Sequence, residues 1–164
     1  MILTAIKPTI NKVIRVLFIG LLVFSQTLYS QDMNENLVSF HENWTEFDVY
    51  EGGLKGVRIH TKFTVYNLKG ISSKLAIAIE YQTGEKIYAI NSNYKSTNGQ
   101  LTIYKTLNLN YDSSLFNDVS LFLPYKEMNL GYGKHDIRFH VDLLYGNNSE
   151  NNIHMNYYNW NYTE

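Results

Sequence analysis

The sequence predicts an all-β domain, an antiparallel β-sandwich of about seven to eight strands. Three observations carry this. Apolar and polar residues alternate with a period of two along most of the chain after residue 56. Turn-forming residues separate the alternating runs, and no helical stripe lasts longer than a turn or two. Strands with one apolar and one wet face must bury the apolar face against a second sheet, so the sheets pack in pairs. A small closed barrel obeys the same alternation and is the alternative.

Val57, Ile59, Phe63 and Val65 point one way, and Arg58, His60, Lys62, Thr64 and Tyr66 the other. Leu75, Ile77, Ile79 and Tyr81 repeat the pattern, and Thr83-Gly84 turns the chain toward a short return strand over residues 86–91. Thr97-Asn98-Gly99-Gln100 carries an Asn-Gly pair, which tolerates positive φ, and leads into Leu101, Ile103, Leu107 and Leu109. Val119, Leu121 and Leu123 follow and stop at Pro124, which has no N–H for a sheet ladder and belongs at a strand end or edge. Residues 125–130 can form one short helical turn. Gly131-Tyr132-Gly133 then reverses the chain into Ile137, Phe139, Val141 and Leu143, and the aromatic run from Ile153 to Trp160 alternates again.

The amino end reads differently. Lys7, Lys12 and Arg15 precede the apolar run from Val16 to Phe24, and the polar segment Ser25–Ser30 follows it. Basic, apolar and polar regions in that order predict a cleaved secretory signal over residues 1–30. The apolar run is much shorter than the roughly 20 residues that span a bilayer. The domain organisation expected is a signal peptide over 1–30, a flexible amino-terminal segment over 31–43 and the sandwich over 44–164. The localisation expected is secreted or periplasmic, with a membrane met only through the transient signal.

Composition excludes much chemistry. The 164 residues include no cysteine, which removes disulfide scaffolds, Cys zinc sites, iron–sulfur clusters and thiol catalysis. An exported domain without disulfides must be held by its core alone. The formal net charge of −1 gives no basic stripe to neutralise phosphates, so no nucleic-acid partner is expected. No nucleophile elbow, phosphate loop or dinucleotide fingerprint is present, and no cofactor and no catalytic residue are expected.

Three segments together resemble a known family. Gly56-Val57-Arg58-Ile59-His60-Thr61-Lys62-Phe63-Thr64-Val65 is similar to the opening strand of a family of uncharacterised bacterial exported or accessory β-sandwich domains. Tyr94-Lys95-Ser96-Thr97-Asn98-Gly99-Gln100 resembles its central turn. Residues 121–130, Leu-Phe-Leu-Pro-Tyr-Lys-Glu-Met-Asn-Leu, with Gly133-Lys134-His135 after them, resemble its most recognisable stretch. The resemblance spans about Trp44 to Leu144 and implies an accessory or binding role, with no catalytic residues to carry over. Read physically, Pro124 ends a strand, Tyr125 packs its ring and hydrogen-bonds its hydroxyl, Glu127 accepts hydrogen bonds, and His135 caps the reversal.

The aromatic content, 15% with 14 tyrosines, is the most distinctive compositional feature. Trp44, Tyr157, Tyr158, Trp160 and Tyr162 sit near the two ends of the domain, and terminal strands often adjoin. Exposed rings stack on sugars or anchor partner proteins at low entropy cost, so these five are the candidate ligand-binding residues. The partners expected are a protein or a cell-surface glycan. The function expected is that of a non-enzymatic exported binding domain. A carbohydrate-binding module is the alternative, and a small hydrolase comes third. No metal site is expected. His60 and His140 occupy similar settings on two strands, but cations flank both, and solvated surface histidines fit better. Tyr111-Asp112-Ser113-Ser114 and Asn117-Asp118 form an oxygen-rich stretch that Asx turns explain without calcium.

Overall fold

Gly52 and Gly53 both take positive φ, 58° and 79°, the left-handed conformations that a two-residue hairpin turn requires. They join β1 (Val38–Glu51) to β2 (Leu54–Tyr66) in the computed structural model, which describes residues 37–163 apart from Glu150 and the side chain of Asn148. The predicted signal peptide over 1–30 and residues 31–36 lie outside the described residues. Five more strands follow: β3 (Ser73–Tyr81), β4 (Thr102–Leu107), β5 (Ser113–Pro124), β6 (Lys134–Tyr145) and β7 (Asn151–Thr163). They form two antiparallel sheets, β1-β2-β5 and β4-β3-β6-β7. The predicted sandwich is the fold.

The alternation read from the sequence is the alternation of the core. Val57, Ile59, Phe63 and Val65 of β2 face Leu75, Ile77 and Ile79 of β3 and Ile137, Phe139, Val141 and Leu143 of β6, all at 1% exposure or less. Full burial of each such side chain contributes roughly 1.5–3 kcal/mol. A core of this breadth is why the chain holds together without a disulfide. Pro124 is the last residue of β5, which is an edge strand, and one 3₁₀ turn, Tyr125–Glu127, follows it as predicted. His135 Nε2 donates to the Gly131 carbonyl at 2.6 Å and closes the reversal into β6.

Three elements depart from expectation. β1 begins at Val38, so residues 38–43 belong to the sandwich rather than to a flexible segment. β5 begins at Ser113, so Asn117 and Asp118 sit inside a strand and not in a calcium-type loop. Residues 86–91 make only the isolated bridges Glu80–Lys86 and Tyr88–Gln100 in place of a return strand. The first two have one cause. β1 is bulged between Phe40 and Glu42 and between Glu46 and Val49, and β5 is bulged opposite Thr61–Phe63. An extra residue in one strand reverses the parity of everything beyond it, so the apolar pattern loses its period of two.

At Gly56 the first sheet leaves no room for a side chain. This glycine pairs with Pro124, and a Cβ added there would meet the Leu123 carbonyl oxygen and two ring carbons of Phe122 at 2.8 Å. Backbone cannot move aside as a flexible side chain can. Gly56→Ala is therefore expected to lower unfolding free energy by about 1–3 kcal/mol in a urea titration. An unchanged midpoint would show that β2 and β5 are further apart at this position.

Candidate functional site

The second bulge of β1 builds the most distinctive surface feature among the described residues. Between Glu46 and Val49 the strand carries an extra residue, and Asp48 adopts the left-handed conformation at φ 58°. This turns the Asp48 N–H onto the hydroxyl of Tyr125, which accepts it at 2.9 Å, and the Asp48 carboxylate onto Lys55 Nζ, also at 2.9 Å. Phe47 is carried the other way and stacks on Trp160 of β7, with centroids 5.0 Å apart. Trp160 also touches Tyr162 at 5.1 Å and Tyr125 at 5.9 Å, and Tyr125 meets Tyr162 at 5.4 Å.

These four rings with Asp48 and Lys55 line a cleft of about 310 Å³ where the β1 and β7 edges of the two sheets adjoin. Thr45 of β1 donates a hydrogen bond across this junction to the Tyr158 hydroxyl at 3.3 Å. The cleft has an apolar wall and one charged lip. Phe47 is 44% exposed, so its ring is available from solvent. Burial raises the hydroxyl pKa of Tyr125, which therefore stays protonated and polar inside the cleft.

The five aromatic residues singled out from the sequence divide among three places. Trp160 and Tyr162 line the cleft. Tyr158 packs inward on Phe139 at 6.0 Å and ties the two sheet edges together. Trp44 lies on the outer face of the first sheet, stacked on the His60 ring at 4.8 Å and 13°. Tyr157 lies on the outer face of the second sheet, packed beside His140 and His154, whose rings touch each other at 4.3 Å. The remaining lining residues, Phe47, Asp48, Lys55, Tyr125 and Thr163, escaped the sequence reading as site residues. Only Tyr125 left a local signal there, as the polar-tipped ring behind Pro124.

The histidines also depart from expectation. His60 and His140 belong to different sheets and share no site. His60 is not a solvated surface group. It is 7% exposed, beneath Trp44, with Nδ1 2.8 Å from Asp118 and Nε2 3.6 Å from Glu46. The bulge in β5 is what turns Asp118 toward it. Arg58 joins the same face by pairing with Glu46 and Glu51 at 3.3 and 3.0 Å.

No protein family, curated protein or solved structure matches this chain. The arrangement of its own residues therefore carries the functional argument.

The charged lip of the cleft makes a pH prediction. The hydrogen bond from Lys55 holds the Asp48 carboxyl below its ordinary value against the effect of burial, Tyr125 adds to this, and the same bond raises Lys55. A carboxyl depressed in the native state contributes stability that is present at neutral pH and lost as pH falls through the native value. In a carbon-13 carboxyl titration Asp48 should ionise at a lower pH in the native protein than in Lys55→Ala. Equal midpoints would show that the pair does not form in solution.

Proposed function

We propose that this chain is a non-enzymatic binding domain, exported behind its leader, that recognises a protein or cell-surface component through the cleft between β1 and β7. The observation that carries this reading is the convergence of Phe47, Tyr125, Trp160 and Tyr162 on one opening, beside the Asp48–Lys55 pair. Aromatic side chains held by packing supply large contact area with little entropy left to lose, which is the character of an interface anchor point. A cleft of about 310 Å³ suits one apolar or aromatic side chain of a partner, with the charged pair left to bind a neighbouring polar group. Asp48 is the acidic residue of this lining and is engaged by Lys55, whereas glycoside hydrolysis would need two carboxylates flanking a bond.

A protein partner is favoured over a glycan by ring geometry. Phe47 and Trp160 are inclined at 30°, and Trp160 and Tyr162 at 65°, so the rings form a pocket wall rather than a level row. Trp44 and Tyr157, which a sugar-binding row would have recruited, are held on separate faces by His60 and by His140 with His154. One observation favours the glycan reading: the free face of Phe47 beside Asp48 and Lys55 is a single stacking platform with polar neighbours.

The test is capture from the producing cell's envelope and medium, with a glycan array run on the same protein. A protein partner retained by the wild type and by Tyr132→Ala, but weakened at least about tenfold by Phe47→Ala, is the expected result. Tyr132 is 95% exposed and lies outside the cleft lining, so it serves as the aromatic control. Glycans captured in a Phe47-dependent way would favour the carbohydrate reading. Partners that ignore Phe47→Ala, or no partner at all, would overturn the assignment of the cleft.

A further inference from the structure

The opposite side of β7 carries a different chemistry. The β6–β7 pairing is shifted between Val141 and Asp142, where Val141 pairs with Asn156 and Asp142 with His154. Met155 is left without a partner, and the bulge brings His154 and Tyr157, three residues apart, to the same outer face. His140 and Asp142 of β6 face them, two residues apart on one strand as the period of two requires. Asp142 Oδ1 lies 3.1 Å from His140 Nε2 and 3.2 Å from His154 Nδ1, and the three donor atoms all lie within 4.8 Å of one another.

We infer that His140, Asp142 and His154 form a binding site for a late first-row divalent cation, zinc foremost. Donors about 2.0–2.2 Å from a tetrahedral zinc stand roughly 3.3–3.5 Å apart, and two of the three edges of this triangle, at 3.1 and 3.2 Å, need only a slight opening to reach that spacing. The third edge closes by rotation of His154, whose side chain is 40% exposed. Two imidazole nitrogens with one carboxylate select zinc, nickel or copper over magnesium and calcium, which prefer oxygen.

A second observation points to a ligand independently. His140 Nε2 is buried and makes no hydrogen bond, although Asp142 Oδ1 is only 3.1 Å away, so the two atoms converge without the alignment of a donor and acceptor. Asp142 itself is 7% exposed; its Oδ1 accepts a hydrogen bond from His154 Nδ1 at 3.2 Å, and its cross-strand neighbour on β3 is Ala76, which offers no polar atom. A lone pair and a carboxylate aimed at one point are better satisfied by a cation than by each other.

The cation that argued against a metal in the sequence is already neutralised. Arg138 Nε donates to Glu80 at 2.6 Å, and its guanidinium lies 4.2 Å over the ring of Tyr157. Tyr157 in turn packs on His140 and His154, with centroids 4.8 and 4.3 Å away. This stack restrains both imidazoles beside the carboxylate, as groups packed around metal ligands commonly do. With three protein donors and a solvent-exposed His154, a fourth position stays open to water or to a donor from another molecule.

Untagged protein stripped with EDTA should bind one zinc ion per chain by calorimetry and gain thermal stability from zinc, reversed by EDTA, with no response to magnesium or calcium. His154→Gln should weaken zinc binding by at least about tenfold while leaving the metal-free midpoint close to wild type. His135→Gln, on the β6 reversal, should leave zinc affinity unchanged. Asp142→Asn should abolish binding, but Asp142 is buried, so His154→Gln decides if that variant does not fold. Absence of zinc binding, zinc binding indifferent to His154→Gln, or an equal response to magnesium would overturn the assignment.

Discussion

A β-strand has a side-chain period of two, so a regular strand can present one inward face and one outward face and nothing else. β7 has more to do than that allows. Its first part must direct Ile153 inward and His154 outward, and its last part must send Tyr158, Trp160 and Tyr162 inward with Tyr157 outside. The inward residues change from odd to even numbers along one strand, and the bulge opposite Val141 absorbs the change. Both surfaces described for this protein depend on that one irregularity.

The same device recurs in the first sheet. The bulge in β1 places Phe47 over Trp160 and Asp48 against Tyr125, and the bulge in β5 turns Asp118 onto His60. Bulges re-aim side chains, end pairing and blunt strand edges, and here three of them lie in the two edges of the smaller sheet, two in β1 and one in β5. The long core strands β2, β3 and β6 supply rigidity while the bulged outer strands carry the unusual side-chain groupings. The aromatic cleft lies at the junction of the sheets, and the His-Asp-His group lies on the exterior face of β6 and β7. A ligand of one need not compete with a ligand of the other.

What could be read from the sequence follows the same division. β2 and β6 keep strict alternation, so Val57 to Val65 and Ile137 to Leu143 were legible as core. Pro124, Tyr125 and His135 were legible because proline and a tight reversal act through local backbone geometry. β1 was missed because two bulges and the intermediate burial of Val38, Phe40, Asn43 and Thr45 erase its pattern. The first half of β5 resembled a polar loop because its inward residues pass from Phe116 to Val119 across a parity change. His140 reads from sequence as a solvated surface histidine, since His154 joins it only through the register shift. No local spacing rule pairs residues 140, 142 and 154; the hairpin and its bulge do.

The most direct test of this account is deletion of one residue at the β7 bulge. Removing Asn156 would let Met155 pair with Val141 while every other partner in β6 and β7 keeps its place. Removing Asn159, beyond the bulge, would shift Trp160 and Tyr162 relative to Ile137 and His135 and turn them outward. The account predicts that the Asn156 deletion retains a cooperative thermal transition and an unshifted tryptophan emission. It predicts that the Asn159 deletion loses the transition and shifts emission to the red. Unfolding of the Asn156 deletion, or tolerance of the Asn159 deletion, would contradict it.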